Sequence, residues 1–508
     1  MSEGMLSKKP LVIPGSSRLL LTFFGMLVTI IAGALIPVIS PITSLIGLGI
    51  IIMFIFTALM DKTVLLISVM ILLNAVAYGF WLEHRIMVGA FPISIPDIMI
   101  MIYGLYGIIR WLRAGRIGWG RGIGVLLAIW FMYNSSLGLA MGLEEGNPAY
   151  AVLQEYRLIL YVAIAYFTTL VVFHPERHLR VVIFSQIAAG LLVSIWQFWI
   201  TLSGSGLEAS QIVLETKDGI GRLLRDVGLP GTMAASALVV LAVIQIRAPT
   251  ILGKARRWTW GLFPVFVAAS FLSMTRTVWV SMALSMGLLF LFFVLAGRKG
   301  IRSSRLIILV AFFLAVIPLV FTMVRILFPE VYQALESVWD MSFSYQDGTF
   351  VTRLEQWHDT WNFLWDEGWS FYSGLGFGNI SAGAVRFGPY TSIHNAYMWY
   401  MVIAGLPGLL LFLALWISPL IVYLRLLTRS LEAVTHSYVI ASIVNWLVMS
   451  VVMLGSPALW TNAALFGMML GIASVVGKRY ADRKRVSPPK DANDLQFKSV
   501  TKTNVENS

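Results

Sequence analysis

Residues Phe263 to Val294 read FPVFVAASFLSMTRTVWVSMALSMGLLFLFFV, two apolar runs divided by one charge, Arg276. A helix needs on the order of twenty residues to cross about 30 Å of hydrocarbon. The second run, 277–296, meets that length, and the first, 258–274, falls slightly short of it. Almost nothing polar separates them, so the chain enters a bilayer, turns near Ser273–Arg276 and crosses back.

The pattern repeats in both directions. Further apolar runs lie at 19–39, 42–60, 63–82, 96–112, 123–141, 157–173, 180–202, 229–247, 306–327, 394–424, 434–454 and 458–477. They predict an all-α, polytopic transmembrane bundle of about 12–14 spans. Only 12% of residues are charged and 58% are hydrophobic. A soluble domain carries roughly 25% charge, so that class is excluded. The run after Lys8, Lys9 and Arg18 has no small-residue cleavage site and reads as a first span, not a signal peptide. The chain has no cysteine, which removes disulfides and thiol chemistry without identifying a compartment.

Charge sets the orientation. With the N-terminus inside, 28 of the 37 Lys and Arg fall on the cytoplasmic side and 9 outside, whereas 17 of the 25 acids fall outside. A register shift of one span would invert that asymmetry. The basic balance therefore describes a cytoplasmic face against anionic lipid, not nucleic-acid binding. The expected organisation is a cytoplasmic segment 1–18, eleven spans within 19–327 and an extracytoplasmic loop 328–393. Three spans within 394–477 and a disordered basic cytoplasmic tail 478–508 follow.

Eight of the nine outer cations are arginine, whose planar fork suits phosphate and carboxylate oxygens. Arg276 sits at or just below the outer surface. A charge there is either functional or a snorkelling topology marker, and its side of the membrane opposes the second reading. Arg222 and Arg225, three residues apart before the span at Leu229, are expected to share a helical face and either bind an anion or pair with Asp218 or Asp226. Arg353 heads a segment with Trp357, Trp361 and Trp365 at helical spacing, and either binds an anion or pairs with Glu355 or Asp359. The tryptophan stripe suits a helix in the headgroup interface, or one packing the loop on the bundle. Gly374-Leu-Gly-Phe-Gly378-Asn379 is expected to be a flexible turn; no strand precedes it, which argues against nucleotide binding. The loop ends at His394-Asn395-Ala-Tyr397. His394 lies at the outer boundary and is a candidate general base, with a carbonyl-bonded boundary histidine as the alternative. Gly405-Leu-Pro407-Gly408 predicts a kink in the span that follows. No Asp-x-Asp motif occurs on the outer side, so a bound diphosphate would be neutralised by arginine rather than by metal.

These residues resemble the O-antigen ligase and polysaccharide polymerase superfamily. The resemblance rests on Ser273-x-x-Arg276, Val351-Thr-Arg353-Leu-Glu355-Gln-Trp357, the glycine-rich turn, His394-Asn395-Ala-Tyr397 and the Gly405 segment, and covers about 220–415. It implies an inverting glycosyltransferase of the bacterial cytoplasmic membrane, using neither metal nor cofactor. The donor would be a glycan on undecaprenyl diphosphate and the acceptor another glycan or a lipid. Arg276 and Arg353 would hold the donor diphosphate, joined by Arg225 and Arg222. His394 would activate the acceptor, and Asn395 and Tyr397 would line the same site. Two other readings are a transporter or flippase, which calls for inverted repeats and intramembrane acids not found here, and a non-catalytic assembly subunit.

Overall fold

The computed structural model describes residues 63–80, 86–88, 91–93, 95–114, 123–203, 211–215, 222–226, 229–273, 276–296, 303–329, 332–333, 336, 348–379, 393, 395–429, 431–455 and 463–482. The predicted spans at 19–39 and 42–60, the tail beyond 482 and His394 lie outside them.

The chain forms helix after helix, as its apolar runs predict. They are α1 (Thr63–Phe80), α2 (Ile95–Ala114), α3 (Ile123–Glu144), α4 (Ala149–Val172), α5 (Pro175–Ser203), α6 (Leu229–Arg247), α7 (Leu262–Leu272) and α8 (Arg276–Ala296). After α9 (Ser303–Leu327) come the shorter α10 (Gly348–Asp366) and α11 (Trp369–Ser373). The chain closes with α12 (Ala396–Leu427), α13 (Ala433–Gly455) and α14 (Ala463–Asp482). Each of the twelve expected spans in this region coincides with a helix. Among the described residues, six helices are long and apolar enough to cross a membrane. A seventh joins them if α6 and the segment bent from it by 100° count as one span. Two antiparallel ribbons interrupt the pattern: β1 (Ile86–Val88) with β2 (Phe91–Ile93), and β3 (Gln211–Glu215) with β4 (Arg222–Asp226).

Contacts between helix termini mark two ends of the bundle. One is basic: Arg479 pairs with Glu176 at 2.6 Å, Arg429 donates to the Tyr480 carbonyl at 2.5 Å, and Arg110 bonds Thr63 and Tyr106. These contacts gather the ends of α2, α12 and α14 and the starts of α1 and α5. The opposite end carries the glycine turn and the start of α12, and is called the motif end below.

Between the ends, small residues let helices touch. A Cβ on Gly467 of α14 would lie 2.2 Å from the Val162 carbonyl oxygen of α4, and one on Gly471 would lie 2.7 Å from Thr169. This small-x-x-x-small spacing is how apolar helices approach where no hydrophobic force drives them together. Helix α4 starts eight residues before the expected span. Its first turns carry Glu155 and Arg157, whose charges hide the helix from a hydropathy reading. Both are engaged: Glu155, 4% exposed, accepts the N–H of Gly378, and Arg157 pairs with Asp97 of α2 at 3.4 Å.

Candidate functional site at the motif end

The site grows from the segment between α10 and α12. Gln356, Thr360 and Leu364 recur at helical spacing and are 3%, 1% and 0% exposed, so they fix the inward face of α10. Arg353 lies three residues before Gln356, on the same face, and is half-buried. Burial alone pushes its guanidinium below the usual arginine range, and among the described residues neither Glu355 nor Asp359 pairs with it. Trp361 and Trp365 meet the buried ring of Phe371 edge-on at 5.3 and 5.0 Å, yet stay 41% and 60% exposed. The stripe thus has features of both expected readings, packing the segment down on one side and presenting apolar surface on the other.

Gly374–Asn379 differs from its expectation. It is not a flexible turn but a buried plug. Leu375 N–H donates to the Val402 carbonyl at 2.7 Å and Gly376 N–H to the Ile403 carbonyl at 3.1 Å, both in α12. Phe377 N–H donates to the Gly138 carbonyl of α3 at 3.0 Å, and Asn147 donates back to the Phe377 carbonyl at 3.2 Å. Gly378 N–H donates to Glu155 Oε2 at 2.8 Å. The Phe377 ring is fully buried, edge-on to Tyr156 at 5.4 Å. The glycines serve close approach more than mobility. A Cβ on Gly376 (φ 78°) would lie 2.3 Å from the Gly142 nitrogen, and one on Gly405 (φ 66°) would lie 2.1 Å from the Tyr372 carbonyl oxygen. Gly405 is also where α12 departs from helical geometry, the kink its sequence predicts.

The plug sets the entrance to α12. Asn395 is its N-cap: Oδ1 accepts the N–H groups of Tyr397 at 2.9 Å and Met398 at 3.1 Å, and the residue is 3% exposed. Asn395 therefore uses its oxygen to fix the helix start, which constrains the backbone next to His394. Tyr397 is half-buried and its hydroxyl donates to the Ser450 carbonyl of α13 at 3.1 Å.

Helix α8 packs on the same α13. It opens at Arg276, and the end of the preceding α7 is tightly held: Ser273 Oγ donates to the Ser270 carbonyl at 2.7 Å, and a Cβ on Gly231 would lie 2.7 Å from Ser273 Oγ. The structure thus brings Gly231 of α6 against Ser273 at the end of α7. Below them a cavity of about 140 Å³ opens between helices, lined by Ser281 and Ser285 of α8, Ser236 of α6 and Asn445 of α13 among larger apolar side chains. Ser281 and Ser285 lie roughly 8 and 14 Å along α8 from Arg276.

Arg222 and Arg225 stand elsewhere than expected. Both are in strand β4, where Arg222 is opposite Glu215 and Arg225 opposite Ile212. In a strand a separation of three puts the two positions on opposite faces of the ribbon, so they do not share a helical face. Ribbon β4 packs against α5.

Residues 261–413, from the start of α7 through the Gly405 kink, match the O-antigen ligase family (Wzy_C). The similarity is confined to this segment, under a third of the chain. It associates the chain with ligase- or polymerase-type chemistry in polysaccharide and lipopolysaccharide biosynthesis, on a lipid-linked glycan and an acceptor. No curated protein matches the chain. The matched segment holds Arg276, Arg353, Asn395 and Tyr397 but not Arg222 or Arg225. Its plug also depends on helices outside the matched segment. Gly138, Gly142 and Glu155 belong to α3 and α4, and sequence reasoning missed them, although Gly138-x-x-x-Gly142 is a legible close-packing signal. Glu155 is a buried acid within a spanning helix, yet it is engaged by the plug, so it does not by itself favour a transporter. Among the described residues, no three His, Asp or Glu are grouped to hold a metal.

Proposed function

We propose that this protein transfers a glycan from an undecaprenyl-diphosphate carrier to an acceptor hydroxyl at the outer face of the bacterial cytoplasmic membrane, independently of metal. One observation carries the reading: Arg353 is a half-buried cation on the inward face of α10, with no carboxylate pairing among the described residues. A desolvated guanidinium fork of that kind favours an anion able to take parallel hydrogen bonds, and a diphosphate does so.

The second arginine, Arg276, opens α8, where the helix dipole adds positive potential and free N–H groups suit phosphate oxygens. The apolar part of the cavity beneath it accommodates part of an isoprenoid chain. In this reading the extracytoplasmic segment is 328–393, the basic end faces the cytoplasm together with both termini, and the asymmetry of Lys and Arg supports that orientation.

His394 takes the proton of the acceptor hydroxyl as that oxygen attacks the anomeric carbon. The bond from that carbon to the diphosphate oxygen breaks, undecaprenyl diphosphate leaves with its new charge held by Arg276 and Arg353, and one displacement inverts the anomeric centre. Asn395 and Tyr397 hold the start of α12 so that His394 is presented to the acceptor. Only one of Arg225 and Arg222, which lie on opposite faces of the ribbon, would reach the donor.

Deletion of the gene, followed by complementation with Arg276→Ala, Arg353→Ala and His394→Ala, tests the proposal. Surface glycan on gels should return with the wild-type gene and stay absent with each variant at normal protein level. Restoration by all three would refute it.

A further inference from the structure

Helix α6 ends at the basic end, and the chain then turns by 100°. The elbow that follows consists of two 3₁₀ segments, Pro249–Arg256 and Trp258–Gly261, before α7 re-enters the bundle. It is not a loose loop. Gln245, 2% exposed, donates through Nε2 to the Arg256 carbonyl at 3.1 Å and to Thr259 Oγ1 at 2.5 Å. Thr259 Oγ1 in turn donates to that same carbonyl at 2.8 Å. Leu252 is 5% exposed, and the Trp260 ring stacks on Phe263 at 5.2 Å, so one side of the elbow is sealed to the bundle.

The other side has the opposite character. Lys254, Arg256 and Arg257 are exposed and, with Trp258, Trp260 and Gly253, line an open recess of about 650 Å³. Trp258 is 84% exposed. An indole left that open is unfavourable in water, but it suits the headgroup layer, where its apolar face meets acyl chain and its N–H meets polar groups. A 100° bend at the end of a spanning helix lays the following segment along that layer. Three cations around a recess, two with forks that fit phosphate oxygens, complete the chemistry.

We propose that the elbow at 249–261 is a binding site for the phosphodiester headgroup of an anionic phospholipid, with Lys254, Arg256 and Arg257 holding the phosphate and Trp258 seated among the acyl chains. The site is some twenty residues of α6 away from the proposed transfer centre and acts on a different lipid. It anchors the α6–α7 corner, and through it the height at which the Ser273–Arg276 turn sits in the bilayer.

The full-length protein, purified in neutral detergent, is titrated with phosphatidylglycerol or phosphatidylcholine and examined by native mass spectrometry. This readout depends on neither glycan transfer nor membrane orientation, so it stands apart from the proposed activity. Wild type should retain phosphatidylglycerol with at least about tenfold preference, a lower bound on the roughly hundredfold that three cations near a headgroup would give. Lys254→Gln/Arg256→Gln/Arg257→Gln should lose that preference. Arg113→Gln/Arg177→Gln/Arg425→Gln, which removes three other exposed basic-end cations, should keep it. Lys254→Gln alone, which leaves the elbow's carbonyl contacts intact, should give a partial loss and serves as the readout if the triple variant fails to purify. Unchanged preference in the elbow variants, or equal loss in the control variant, would overturn the proposal. So would displacement of the lipid by inorganic phosphate at matched concentration, which would mark a free-anion site.

Discussion

Glu155 Oε2 accepts the N–H of Gly378 at 2.8 Å, joining α4 to a turn 223 residues later in the chain. The bond lies where the matched O-antigen ligase domain meets the helices that precede it. It ties the glycine plug, and through Leu375 and Gly376 the start of α12, to the body of the bundle. Glu155→Ala leaves the Gly378 donor buried without this acceptor and should destabilise by about 2 kcal/mol. Glu155→Gln retains an acceptor oxygen and should cost less. Thermal unfolding in detergent reads both, and a wild-type melting temperature for the alanine variant would contradict the assigned role.

The plug glycines give a sharper contrast. Gly376→Ala and Gly405→Ala place a methyl group 2.3 and 2.1 Å from backbone atoms that have no room to yield, and both should abolish folded protein in size-exclusion profiles. Gly368 also has a positive φ, 56°, but nothing lies within 4 Å of its Cβ position. Gly368→Ala should therefore bear only the left-handed backbone cost of about 1–2 kcal/mol and remain folded.

How much of this was legible follows physical lines. Long apolar runs gave helices α1 to α9 and α12 to α14 because burial in hydrocarbon leaves little else possible, whereas α10 was legible only from its tryptophan spacing and α11 not at all. Helix α4 was cut short because Glu155 and Arg157 look like loop residues until their partners, Gly378 and Asp97, are known. The plug read as flexible because glycines look alike in sequence whether they serve motion or close contact. Only the facing Gly138 and Gly142, distant in the chain, distinguish the two. Arg222 and Arg225 were assigned to a helix from spacing alone, whereas ribbon pairing with residues 211–215 decides their geometry. Arg276 is conspicuous as the one charge between two apolar runs, and Arg353 is legible from its place at the head of the tryptophan-spaced segment.

Burial pushes the Arg353 guanidinium downward, so its cationic form is less stable in the fold than in water, while arginine stays charged at any assay pH. Removing that charge should relieve the fold. Arg353→Met is expected to melt no lower than wild type, while glycan transfer falls by about 100-fold or more, the scale for losing one preorganised charge donor. Arg353→Lys keeps charge without the fork and should fall between. A melting temperature that drops together with activity would point to a structural arginine instead.

Orientation can be read without background, since the chain has no cysteine. Trp369, 77% exposed near the motif end, and Lys254 at the elbow are the test positions. In intact spheroplasts Trp369→Cys should react with a membrane-impermeant maleimide, and Lys254→Cys should react only after lysis. The reverse pattern would place the motif end in the cytoplasm.

The central claim is that the motif end transfers glycan through its arginines and His394. It is tested most directly with purified protein, undecaprenyl-diphosphate-linked glycan and an acceptor in the presence of EDTA, following loss of the lipid-linked donor and gain of glycosylated acceptor. Wild type should transfer glycan under chelation, with Arg276→Ala, Arg353→Ala and His394→Ala each reduced by at least about 100-fold. Transfer by all three variants at the wild-type rate, or none by wild type until a divalent metal is restored, would contradict the account.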